Sequence, residues 1–269
     1  MVVIQTSGDR IQDRPLRLVG GKGLFTKEIE EQLLDGSIDI AVHSMKDMPT
    51  AQPDGLVLDT YLLREDVRDA FVSPSTDSIA SLTQGARVGS SSLRRRAQLM
   101  HVRPDLDVVE FRGNVQTRLK KLAEGVASCT FLAMAGLNRL NMAHIATLAI
   151  EPEDMLPAVA QGAIGIERRS NDSVTAALLE PLHHAGTGQR LAAERAFLAA
   201  LDGSCETPIA GLATLECSEL LLRGEVLRPD GSEKLSGERR GAVGRGAEMG
   251  YDLAQDLLSQ AGPKFFSWR

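Results

Sequence analysis

Read by the spacing of its apolar positions, the chain falls into alternating helix-like and strand-like stretches. In "LFTKEIEEQLL", residues 24–34, Phe25, Ile29 and Leu33 recur at i, i+4 and i+8 and share one helical face. Asp35-Gly36 ends that helix. "IDIAVH", residues 38–43, is a short apolar run between turn signals and reads as a buried strand. "SMKDMPTAQPDG" then forms a loop rich in Pro, Asp and Gly. From about residue 86 one unit occurs three times: "ARVGSSSLRRRAQLMH", "LDVVEFRGNVQTRLKKLAEG" and "SCTFLAMAGLNRLNM" each pass from strand through a turn into a helix. Strands alternating with helices predict parallel βαβ units, with ligands gathered beyond the strand C-termini.

Further on, "LPAVAQGAIGIE", residues 156–167, reads as a strand-rich crossing segment with close backbone approach at Gly162 and Gly165. "GQRLAAERAFLAALDG", residues 188–203, predicts an amphipathic helix with Leu191, Ala192, Arg195, Leu198 and Leu201 on its spacing. The stretch after it alternates apolar and polar positions around a Pro-Asp-Gly turn, which predicts an antiparallel meander. A helix near 247–261 closes the chain. The fold class is therefore α/β: two α/β domains plus a smaller α+β C-terminal domain. Domain 1 is expected over 1–63 and 162–182, domain 2 over 67–157 and domain 3 over 185–269.

Composition narrows this picture. At 269 residues, 43% hydrophobic and 25% charged, the chain has the make-up of a soluble globular protein of two or three domains. Cysteines at 129, 205 and 217 make no disulfide framework and fit a reduced, cytoplasmic setting. No apolar run reaches the length of a membrane span, and "MVVIQTSGDR" lacks the features of a signal peptide. Histidines and cysteines show no metal-ligand spacing, so no metal is expected; His183 and His184 read as surface residues. A net charge of −6 argues against nucleic acid as a partner. Against that acidic background, "LRRRAQL", "FRGNVQTRLKKL" and "AGLNRL" concentrate arginine.

Arg94, Arg95, Arg112, Arg118 and Arg139 are expected at or just inside three successive helix starts, where free backbone N–H groups also favour anions. The planar guanidinium fork suits carboxylate and phosphate alike. The residues alone leave these two undecided, and the absence of a P-loop pattern tilts towards carboxylates. Lys120 and Lys121 read as ordinary solvated helix charges. Asp47, just past a strand in "HSMKDMPT", stands where catalytic groups collect; a carboxylate there can steady a developing cation and move protons, although a plain turn carboxylate is the commoner use. Lys46 beside it is either solvated or paired with an anionic substrate. Of the cysteines, Cys129 reads as core, Cys217 as structural in a strand, and Cys205, in "LDGSCETPIAG", as displayed on a turn; an isolated cysteine is more often an inert buried thiol.

Six stretches, in order, carry a resemblance: "GGKGLFTKEIEEQLLDGSIDIAVHSMKDMP", "VGSSSLRRRAQL", "FRGNVQTRLKKL", "AMAGLNRL", "AVAQGAIGIE" and "ERAFLAALDGSCETPIAG". Together they resemble the porphobilinogen deaminase (hydroxymethylbilane synthase) family. The resemblance implies a cytoplasmic monomeric transferase that joins four porphobilinogen molecules head to tail, releases ammonia at each step and frees a linear tetrapyrrole. It implies periplasmic-binding-protein-like α/β domains and a dipyrromethane cofactor held by a thioether at Cys205. It also implies Asp47 as the catalytic carboxylate; Arg94, Arg95, Arg112, Arg118 and Arg139 as ligand-binding arginines; Ser92, Gly113 and Gln161 as neighbouring contacts; and Lys22 as a substrate-side lysine, while Lys46 joins the candidate binding set from its place beside Asp47. Each porphobilinogen carries an acetate and a propionate, so a growing chain is a polycarboxylate. That accounts for clustered arginines in an acidic protein.

The match departs from the family at its start. "VVIQTSGD" reads as the family's second strand, and the strand and helix that precede it, with an arginine and a serine of the site, are missing. A truncated or wrongly assigned start is the expected reason, and apolar surface on the first sheet the expected result. Two alternatives stay open: an inactive family member, and a non-catalytic polycarboxylate binder, which needs neither Asp47 nor Cys205.

Overall fold

The computed structural model describes residues 2, 4, 26–203 and 207–268. The strand expected over residues 2–9 lies almost wholly outside them, as do Lys22, Phe25 and Cys205. Among the described residues there are three sheets. The first takes β1 (Ile40–Ser44) and β2 (Leu56–Tyr61) and, much later, β8 (Ile164–Arg169), in the order β1-β8-β2. Helix α1 (Lys27–Asp35) covers one face, burying Leu33 against Ala41 and Leu56; Gly36, at φ 80°, closes it through its N–H to the Leu33 carbonyl. Strand β1 is half-buried rather than buried, since Ala41 and His43 point inward while Ile40 and Val42 are exposed.

The second sheet contains β3 (Asp69–Val72), β4 (Arg87–Gly89), β5 (Asp107–Val109), β6 (Cys129–Ala133) and β7 (Leu148–Ile150), in the order β5-β4-β6-β3-β7. The three strand–turn–helix units are present, with α2 (Leu93–Val102), α3 (Val115–Ala123) and α4 (Met134–Arg139) after β4, β5 and β6. Parallel pairing holds for β4 with β5 and β6. It fails at the two crossovers: β3 runs antiparallel to β6 and β7, and β8 antiparallel to β1 and β2. Both strands enter from the neighbouring body, and neither belongs to a βαβ unit, so nothing imposes the parallel direction on them.

In the third body β9 (Ile209–Glu216), β10 (Glu219–Leu227) and β11 (Lys234–Ala242) form the expected meander. Beyond α5 (Ser173–Leu179), helices α6 (Ala185–Ala200) and α7 (Gly246–Gln260) pack on it through Phe197, Leu220 and Leu253. Met45, Met48 and Leu58 join that same core, so the first and third bodies share a hydrophobic interior. Helix α6 begins earlier than its spacing predicts because the His184 ring accepts from the Thr187 N–H at 3.1 Å. Its buried face also differs: Ala192 is exposed and Arg195 half-buried, while Leu191, Glu194 and Phe197 point inward. Cys129 is core as expected, whereas Cys217 is exposed at φ 57°, in the turn between β9 and β10 rather than in a strand.

The two crossing segments meet at Gly162. Its φ is 84°, its carbonyl accepts from the Glu65 N–H at 3.1 Å, and a Cβ there would stand 2.6 Å from the Glu65 carbonyl oxygen. Only glycine satisfies both the dihedral and the approach. Gly165 is packed against the side chains of Met45 and Leu58, where a Cβ would collide with the Met45 sulfur.

Candidate active site

Immediately after β1, Met45–Asp47 forms a single 3-10 turn. Met45 anchors it, buried and donating its N–H to the Ala163 carbonyl at 3.0 Å. The next two side chains project from that anchor: Lys46 is half-buried and Asp47 exposed. Burial lowers the Lys46 pKa from its usual value; Asp47 and Asp69 act against that, and Arg95 and Arg94 reinforce it. Lys46 of the first body thus lies within electrostatic reach of Arg94 and Arg95 of the second.

Those arginines start from α2. Ser92 caps the helix by accepting the Arg95 N–H at 3.3 Å, and Arg94 and Arg95 occupy the first turn. Cations are disfavoured at a helix N-terminus unless an anion is supplied. Asp69, fully buried at the start of β3, supplies it. Arg94 Nη1 lies 2.6 Å from its Oδ2, and Arg95 Nη2 and Nε lie 2.7 and 3.1 Å from its Oδ1. Burial alone would raise the Asp69 pKa, but Arg94 and Arg95 override it and hold the carboxyl far below the usual carboxylate range. Gln161, also buried, donates to Asp69 Oδ1 at 2.9 Å and to the Val67 carbonyl at 2.7 Å.

Arg118 projects from α3, which Asn114 caps, and donates through Nε to the Gly113 carbonyl at 2.8 Å. Gly113 has φ 121°, and Thr117 fills the space a side chain would need. Burial, with the neighbouring charges of Arg95 and Arg112, brings the Arg118 pKa down to about 10. Among the described residues Arg118 has no carboxylate partner. Arg139 donates to the Gly162 carbonyl at 3.3 Å and is the last residue of α4, not at its start. Lys121 is more than a solvated charge: it donates to the Arg112 carbonyl at 2.9 Å and lies over the Phe111 ring.

The structure therefore brings Lys46, Asp47, Arg94, Arg95, Arg112, Arg118 and Gln161 into one electrostatic neighbourhood, with Arg139, at the end of α4, bonded to the adjoining crossing segment. It adds Asp69 and Gln98, which the sequence reading passed over. The available signal for Asp69 was an acid leading a strand buried at all four positions. Among these site residues two buried polar atoms have no hydrogen-bond partner within the described residues, Arg94 Nε and Gln161 Oε1. The Arg94 Nε donor is of the kind that a carboxylate accepts from, while Gln161 Oε1 is an acceptor and calls for a donor.

Comparison with known proteins agrees with this chemistry. Residues 1–177 match the family description "Porphobilinogen deaminase, dipyromethane cofactor binding domain", and residues 189–259 match the C-terminal domain of the same family. The chain belongs to the porphobilinogen deaminase family. Porphobilinogen deaminase of Paracoccus denitrificans is 65% identical over 100% of this chain and 86% of the relative. The chloroplastic enzyme of Pisum sativum is 53% identical over 99% of this chain and 73% of the relative. Among solved structures, a periplasmic substrate-binding protein of an ABC transporter from Coxiella burnetii aligns at TM-score 0.37 and 15% identity, covering 59% of this chain and 76% of that one. As a family member, the chain is a transferase of tetrapyrrole biosynthesis that polymerises porphobilinogen. No helix among the described residues is long and apolar enough to cross a membrane.

Proposed function

We propose that four porphobilinogen units are joined between the Met45–Asp47 turn and the α2–α3 arginines, with Asp47 as the catalytic carboxylate. The observation that supports this reading is that Lys46, the neighbour of Asp47, lies within electrostatic reach of Arg94, Arg95 and Asp69. Arg94, Arg95, Arg112, Arg118 and Arg139 hold the acetate and propionate groups, assisted by Ser92, Gly113, Gln161, the substrate-side lysine Lys22 and Lys46. Cleavage of the C–N bond of the substrate's protonated aminomethyl group sends the electron pair out on neutral ammonia and leaves an azafulvene cation. The Asp47 carboxylate steadies that positive charge, then accepts the proton released when the ring carbon that forms the new C–C bond becomes aromatic again.

The donor set fits a dipyrromethane, itself a tetracarboxylate, and Cys205 is the proposed point of attachment through a thioether. When bound, that group supplies the free pyrrole carbon from which the product grows. The domain limits 1–63 with 162–182, 67–157 and 185–269, a cytoplasmic setting and a monomeric state belong to the same reading.

Intact mass under denaturing conditions tests it. The chain made in a host that synthesises porphobilinogen should carry two extra pyrrole units, and Cys205→Ser should not. A bare mass for the unaltered chain, with no bilane formed from porphobilinogen, would favour the non-catalytic binder instead.

A further inference from the structure

Arg94 is held from two sides. Besides Asp69, its Nη1 meets Gln98 Oε1 at 3.0 Å, one helical turn along α2, and the Leu156 carbonyl at 3.2 Å. The Gln98 amide nitrogen in turn donates to the Leu156 carbonyl at 2.9 Å and to Glu225 Oε1 in a short hydrogen bond. Glu225 belongs to β10, the central strand of the third body, and its other oxygen lies 3.9 Å from Lys234 Nζ. Gln98 and Glu225 are both buried.

The order of groups along this chain is fixed by chemistry. A guanidinium only donates and a carboxylate only accepts, so Arg94 requires an oxygen from Gln98 and Glu225 requires a nitrogen. Gln98 is the one link that offers both, and its amide can face only one way. An apolar residue of the same length would break both contacts, and leave a donor on Arg94 and an acceptor on Glu225 without these partners. Beside this contact lies a cleft of about 300 Å³, lined in part by His101, Arg223 and Lys234, so the surroundings are not packed solid at this seam.

We propose that Gln98 is a positioning residue for substrate binding: docked against Glu225 of the third body, it sets the guanidinium of Arg94 for a substrate carboxylate. The seating of the third body on the second is thereby coupled to the shape of the anion site. This inference rests on the reading of Arg94 as a ligand-binding residue.

Steady-state kinetics on the cofactor-loaded enzyme test it, with thermal unfolding and intact mass measured on the same samples. Gln98→Met should raise KM for porphobilinogen by about tenfold, with kcat within about twofold and the cofactor mass retained, because a contact to a charged group that serves binding is lost. Glu225→Met should act in the same sense, and Glu225→Gln, which keeps an oxygen for Gln98, should recover most of the loss. If Gln98→Met does not fold, the Glu225 pair carries the comparison. A lowered melting temperature with KM unchanged, an equal fall in kcat and kcat/KM, or a bare chain mass would each overturn the proposal. Arg94→Lys separates the two readings: if it leaves KM unmoved, the ligand site is wrongly placed; if it raises KM while Gln98→Met does not, only the positioning role fails.

Discussion

Arg64 and Glu194 face each other in a two-point ion pair, Nη1 to Oε1 at 2.6 Å and Nη2 to Oε2 at 3.0 Å, with both side chains almost fully buried. Glu194 also accepts the N–H groups of Ala160 and Ala213, at 2.7 and 2.8 Å, and Arg64 Nε donates to the Gln161 carbonyl at 2.9 Å. One pair therefore ties the crossing segments to α6 and β9. Replacing Glu194 with Ala strands a guanidinium and two amides away from water. The expected cost is about 3–5 kcal/mol, measured by denaturant unfolding. A loss below about 1 kcal/mol would show that the pair is not a structural tie.

Asp69 carries the corresponding load in the second body. Asp69→Asn keeps the shape but leaves two buried arginines without a counter-charge, and should destabilise the chain by about 3–5 kcal/mol. The sign of the pH effect follows from its lowered folded-state pKa. The stabilisation is present above the unfolded carboxyl value of about 3.9 and is lost as pH falls through the lower folded value. Unfolding curves from pH 7 down to pH 3 should show the gap between parent and variant shrinking only below about pH 4.

Asp47 should behave in the opposite manner. It is exposed on its turn, so Asp47→Asn is expected to leave the melting temperature unchanged. Bilane formation should nonetheless fall by roughly 10²–10⁴-fold, the usual weight of a positioned proton acceptor. Activity within a few-fold of the parent would remove Asp47 from the mechanism.

The described cysteines can be told apart by alkylation. Cys217 is exposed and should label at pH 8 in the native chain, while burial pushes the Cys129 thiol up to about 12 and shields it. Peptide mapping after iodoacetamide treatment should find Cys129 modified only when denaturant is present. Equal labelling of both would contradict the core placement.

Much of this was legible in the chain. The i, i+4, i+8 spacing located α1, the strand–Gly/Ser–helix pattern located the three arginine-bearing units, and two glycines marked the crossing. What escaped shares a cause. Asp69, Glu194, Gln98 and Glu225 are polar residues that each have a partner 25 to 130 positions away, so no local period signals that they turn inward. Strand direction escaped likewise: β3 and β8 take theirs from a crossing between bodies, which short-range patterning does not encode.

The grip of Asp69 on Arg94 and Arg95 has a bearing on affinity. Free arginine side chains surrender rotational freedom when they close on a ligand, at roughly 0.5–1.5 kcal/mol for each one immobilised. Here that disorder is given up during folding, because Asp69 has already fixed both stems. On the binding role proposed for Arg94 and Arg95, a product that lengthens at every turnover would meet a rigid socket, and its carboxylates would not have to organise these two arginines afresh.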